Sequence, residues 1–151
     1  AFEAFAGAVH DPSTGGPILA VDYREDSLRI GAYVQACGLA VRQGGVIYYG
    51  PSFLTPSAAG TWVTTTQSAL VAAQFHTLAS AGQHPDFSLT GAPLEFGCYR
   101  ANSTGTGSFG YTTGGGIDNW RVDLAVDAAV ATETTSWGGL KARFRDGSGA
   151  E

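Results

Sequence analysis

Methionine is absent from the 151 residues, lysine and glutamate are scarce, and only 14% of the chain is charged. A shortage of these helix formers argues against long helices. Low charge beside 44% hydrophobic residues argues against disorder. No apolar run approaches the ~20 residues that a bilayer span needs, so no membrane span is expected. No charged n-region with an apolar core opens the sequence, and a start at Ala1 without methionine reads as a mature secreted product. The formal net charge of −5 and the lack of a basic stripe exclude a nucleic-acid footprint.

Cysteine is nearly missing too. Cys37 and Cys98 fit either one disulfide in an oxidising compartment or two unrelated buried thiols. Bonded, they would close a loop of roughly sixty residues and add roughly 4 kcal/mol in the chain-entropy account. With no CxxC pair and no Cys/His cluster, a thiolate metal site is not expected. Catalytic signatures are equally scarce: GxSxG, HExxH and GxxxxGK[ST] do not occur, and His10, His76 and His84 stand apart from any nucleophile motif.

What the chain does have is glycine (22 residues) together with abundant Val, Thr, Tyr, Phe and Trp, the mixture of strands joined by tight turns. Period-two alternation dominates. Leu28, Ile30, Ala32, Val34 and Ala36 define one face of an expected strand. Residues 39–43 and 46–49 flank Gly44-Gly45 as a hairpin with a primed turn. Residues 61–66 form another strand, whereas 69–78 fit a short helix or a bent strand. Leu94, Phe96 and Cys98 alternate with polar or small residues, as do Trp120, Val122, Leu124 and Val126, and finally Leu140, Ala142 and Phe144. Eight or nine short strands and long loops predict an all-β, two-sheet sandwich of one domain. Asp22, Glu25 and Asp26 form another cluster of oxygens, read as a solvated acidic loop in preference to a cation site.

The termini differ from the body. Residues 1–9 are apolar on both faces with Glu3 as the sole charge, and the turn-rich 11–17 follows. A strand of that kind must be covered on both sides. It is either the first strand of its own sheet or a detached strand, with Phe2, Phe5 and Val9 as anchors, that completes a neighbouring copy. The expected organisation is an exchange strand over 1–11, a sandwich domain over 12–146, and a disordered tail over 147–151.

Three stretches carry a resemblance: Pro85-Asp-Phe-Ser88, Phe96-Gly-Cys-Tyr-Arg-Ala-Asn-Ser103 and Gly115-Gly-Ile-Asp-Asn-Trp-Arg-Val122. Together they resemble secreted bacterial jelly-roll domains of the concanavalin-like type, many of which bear a Pro-Glu-Pro sorting tail. The resemblance runs from about Tyr33 to Val126 and implies a jelly-roll sandwich in an extracellular or cell-surface compartment. The tail itself is not in this sequence, so its mode of anchoring does not carry over. A jelly roll with a detached apolar strand is also similar to filament subunits that polymerise by strand donation, a heterologous contact that propagates.

Polar candidates remain. Jelly rolls often bind a structural Ca²⁺ through an Asp at the start of the last strand, which points to Asp118 and Asn119, with carbonyls from 114–116 as further oxygens. The alternative is that both residues serve a turn. Asn102 lies in an Asn-x-Thr sequon, and the Thr-rich 61–66 and 132–136 could carry O-glycans. Because some concanavalin-like sandwiches are glycosidases, a catalytic pair could be drawn from Glu95, Asp118 and Asp123, but they lack the close spacing on one strand that such pairs usually have. Tyr33, Tyr48, Tyr49, Tyr99, Phe109 and Tyr111 are aromatics for gripping sugars or lining an interface, while Trp62 and Trp120 are expected in the core. The expected function is a non-catalytic extracellular structural subunit that assembles with itself through the N-terminal strand. The alternative is a calcium-stabilised, lectin-like module whose partner is polysaccharide.

Overall fold

The structure, a computed structural model, describes residues 1–102 and 113–127. Eight strands form two antiparallel sheets: β1 (Phe2–His10), β2 (Ile18–Arg29), β3 (Ala36–Gln43), β4 (Val46–Tyr49), β5 (Phe53–Leu54), β6 (Trp62–Leu70), β7 (Leu94–Ala101) and β8 (Gly115–Val126). The first sheet runs β1-β7-β3-β4, with β5 also paired to β3, and the second runs β6-β2-β8. The only helical turns among the described residues are α1 (Pro12–Gly15) and a 3₁₀ turn, Ala72–Gln74. No described helix is long and apolar enough to cross a membrane. The fold is thus the expected all-β sandwich.

Apolar side chains at alternate positions meet between the sheets, as half-buried antiparallel strands require. Val21 and Tyr23 from β2 pack against Leu39 and Val41 from β3 and Leu94 and Phe96 from β7, and Phe75 and Phe87 plug the core from the connections. Gln43 ties the 84–92 connection down: its amide donates to the Asp86 and Ala92 carbonyls at 2.7 Å and accepts the Asp86 N–H at 2.7 Å. Gly44 and Gly45 adopt φ of 57° and 82°, so the β3–β4 hairpin closes through the anticipated primed turn.

Several segments depart from expectation. Alternation over 28–36 does not form one strand: β2 ends at Arg29, and the chain bends through 30–35 into the other sheet. Arg29 holds this bend by donating to the Ala32 carbonyl at 2.6 Å, and Ile30 and Tyr33 are exposed. The supposed acidic loop is the middle strand of the second sheet. Its residues alternate correctly, but Glu25 occupies a core-facing position and hides the pattern. Residues 69–78 resolve into the end of β6, the 3₁₀ turn, and a bridge between His76 and Tyr49. The expected strand around Leu140, Ala142 and Phe144, the Thr-rich 132–136 and the tail at 147–151 lie outside the described residues.

The N-terminal strand is not detached. Phe2, Glu3 and Ala4 pair with Tyr99, Cys98 and Gly97, and Val9 and His10 pair with Glu95 and Leu94. Between these patches four residues of β1, 5–8, face one of β7, Phe96, so the strand bulges around Gly7, whose φ is 80°. Phe2 lies near the Arg42 guanidinium, 5.7 Å from its ring centroid, and Phe5 stacks on Trp120 at 4.1 Å. Val9 is 56% exposed and anchors nothing.

Candidate functional site

The outer face of the β6-β2-β8 sheet collects the polar side chains of three strands. Register places Leu28 beside Trp62 and Gly116, Asp26 beside Thr64 and Asp118, and Arg24 beside Thr66 and Arg121. Because side chains alternate across a sheet, these rows all point away from the core. Trp62 is 49% exposed, and its benzo edge sits over Gly116, where a Cβ would fall 2.8 Å from Cη2. Absence of a side chain at 116 is what lets the indole lie down on the sheet with its other side open.

A β-bulge sits beside this ring. Between the Asp26–Asp118 and Arg24–Arg121 pairs, β8 carries one more residue than β2. Asn119 takes the positive φ of 49°, a left-handed angle that Asn tolerates better than most residues. Its N–H donates to Asp118 Oδ1 at 2.7 Å, and its amide donates to Asp26 Oδ2 at 2.6 Å. The Thr64 hydroxyl donates to the other oxygen of Asp26 at 2.5 Å. Hydrogen bonds from Thr64, then Asn119, hold the Asp26 carboxyl below its ordinary pKa. Beyond the bulge a hollow of about 450 Å³ is bounded by Arg24, Asn119, Trp120 and Arg121.

Other predicted residues are distributed differently. Among the described residues no group of three or more His, Cys, Asp or Glu side chains converges as a metal cage would. Asp118 and Asn119 are hydrogen-bonded at the bulge. Glu95 pairs with Arg42 on the outside of the other sheet, so it and the carboxylates of β8 lie on opposite sides of the sandwich. They are not brought together as a catalytic pair. His10 bonds the Gly16 carbonyl at 2.8 Å and His84 that of Phe75 at 2.7 Å, both in local structure. Tyr48 and Tyr99 are buried, and Tyr49 meets Tyr99 edge-on at 5.2 Å, so these three do not form an open platform. Tyr33 is exposed in the 30–35 bend, and Asn102 is exposed at the end of β7. Phe109 and Tyr111 lie outside the described residues. A second cleft, about 340 Å³, opens near Tyr49, Ser52, His76 and Leu78.

Cys37 and Cys98 are free, buried thiols. Cys37 stands opposite Arg100 and Cys98 opposite Leu39, so the two are diagonal neighbours on the β3–β7 ladder. Diagonal positions lie about 7–8 Å apart, beyond the usual reach of a disulfide. The expected bond is therefore absent, and β-pairing brings the sulfurs near one another without joining them. Burial pushes the Cys37 thiol up to about 12, a shift only partly opposed by Arg100.

Two assignments changed for readable reasons. Trp62 belongs to the outer face, and its parity with Thr64 and Thr66 already marked that face as polar. Asn119 carried no such sign, since an inserted residue is invisible to alternation. Fold and face together define a two-sheet antiparallel β-sandwich with an aromatic and polar platform on its three-stranded side. No family model matches the chain, and no curated protein or solved structure matches it either.

Proposed function

We propose that the protein is a non-catalytic, extracellular carbohydrate-binding module that holds glycan on the outer face of β6-β2-β8. The observation that carries this reading is Trp62, an open indole next to fixed hydrogen-bonding groups. A pyranose ring has an apolar C–H face that stacks on an indole, and its rim of hydroxyls needs donors and acceptors in set positions. Asp26 is held by two internal partners and retains accepting capacity for hydroxyls. The preformed geometry spares the ligand the cost of ordering these side chains. The test is affinity electrophoresis through gels containing soluble polysaccharides, comparing the native chain with Trp62→Ala. Retardation by at least one polysaccharide, reduced about tenfold or more in Trp62→Ala with an unchanged melting temperature, is expected. Equal mobility of the two proteins in every gel overturns the reading.

A second reading, self-assembly by exchange of β1, is favoured by one feature: β1 is an edge strand with two short paired patches and a bowed, unpaired middle. An intramolecular strand of that kind is open to replacement by the same strand of another copy. Native protein would then form concentration-dependent oligomers, visible by light scattering, that a variant lacking residues 1–9 does not form. Monomers at every concentration rule it out.

A further inference from the structure

Of the four carboxylates and two guanidiniums on the outer face of β6-β2-β8, one group makes no hydrogen bond or ion pair to a described residue, although its charge acts on Asp26. Asp22 accepts the Ala69 N–H at 2.7 Å, Asp26 is bonded by Thr64 and Asn119, Asp118 caps Asn119, and Asp123 pairs with Arg121 at 2.7 Å. Arg24 has no hydrogen bond or ion pair to a described residue, and it stands directly opposite Arg121 in the ladder. Like charges directly opposed on a sheet repel, and Asp123 offsets part of that repulsion at Arg121. The two guanidiniums nevertheless flank the hollow of about 450 Å³ at the bulge, on the same face as Trp62.

Guanidinium forks bind planar or tetrahedral oxyanions bidentately; beside the hollow Arg24 has its fork free, and Arg121, whose Nε and Nη2 hold Asp123, has Nη1 left. We propose that the glycan held on this face is acidic, with a carboxylate or sulfate ester seated between Arg24 and Arg121 while a sugar ring lies on Trp62. This rests on the carbohydrate-binding reading and narrows its ligand. The Arg24 and Leu28 rows are four residues apart on β2, ~14 Å at the usual strand rise. One sugar ring does not bridge that distance, so the ligand is an oligosaccharide. The bound anion gives Arg24 the hydrogen-bonded partner that no described residue supplies.

Calorimetric titration of the full chain with four probes tests this: tetragalacturonate, its carboxyl-reduced neutral counterpart, a sulfated galactan tetrasaccharide, and galacturonate monomer. At least one acidic tetrasaccharide binds at least tenfold tighter than both the neutral one and the monomer. The stronger of the two acids identifies the group as carboxylate or sulfate. Arg24→Gln lowers acidic binding about tenfold and neutral binding much less, and added salt weakens mainly the acidic arms. Equal affinity for neutral and acidic tetrasaccharides, with Trp62→Ala still deleterious, overturns the acidic ligand and leaves glycan binding standing. Binding of none of the probes, alongside polysaccharide retardation that depends on Trp62, overturns the acidic ligand alone. Absence of both overturns the two together.

Discussion

Glu25 is the most exacting residue of the core. Its side chain is fully buried, takes the Tyr23 hydroxyl, and is gripped by Arg100 through bonds of 3.0 and 3.3 Å. Burial would lower the Arg100 guanidinium, but the charge and hydrogen bonds of Glu25 outweigh it and hold Arg100 above its ordinary value. Burial, then the bond to Glu25, pushes the Tyr23 phenol up. Removing one partner strands the other, so Glu25→Gln is expected to cost about 3–5 kcal/mol in urea denaturation. Replacing both members, as in Glu25→Leu with Arg100→Met, should recover most of that loss, because well-packed apolar pairs often match buried ion pairs. The thiols make a second prediction. Neutral Cys37 is favoured in the folded state, which therefore binds its proton more tightly than the unfolded chain. Stability is fully present below the ordinary thiol value of 9.0 and falls as pH rises through about 12. Alkaline denaturation curves of Cys37→Ala should decline less steeply over that window. At pH 8 a thiol reagent should label the native chain slowly and the unfolded chain twice.

At the scale of elements, β1 and β2 separate what was legible from what was not. β3, β4, β7 and β8 could be read because their inner positions are apolar and a turn or a polar neighbour marks their limits. β2 escaped because a core-facing Glu25 breaks its apolar parity, and its partner Arg100 lies 75 residues away. No local pattern anticipates such a pair. β1 was legible as a strand but not as to its location, because apolarity on both faces states only that cover is needed. Here Trp120 and β7 supply the cover. Phe5→Ala removes the stack on Trp120, and a loss of about 3 kcal/mol is expected, as for truncation of a partly buried aromatic. Trp120 fluorescence should shift to longer wavelength in the same variant. A wild-type spectrum would mean that β1 does not shield the indole.

Considered as a whole molecule, the sandwich keeps its two outer faces distinct. One, on the sheet that β1 edges, bears the Arg42–Glu95 pair, and the other bears the bulge and the open indole. Asp118 and Asn119 satisfy each other and Asp26 without a metal, so excess chelator should leave the melting temperature unchanged; a fall would reveal a bound cation. The bulge also submits to subtraction. Asp118 faces outward opposite Asp26, Trp120 faces inward towards Phe5 and Tyr23, and Arg121 faces outward opposite Arg24. Deleting Asn119 would leave Trp120 opposite Glu25 and every remaining side chain on its present side, a regular ladder from Ala20 to Arg29 without the left-handed residue. The architecture is complete without this residue. A chain shortened at Asn119 should fold with its core intact and lose the glycan binding proposed for this face, an outcome that would mark Asn119 as a residue kept for the surface it makes and not for the sheet it interrupts.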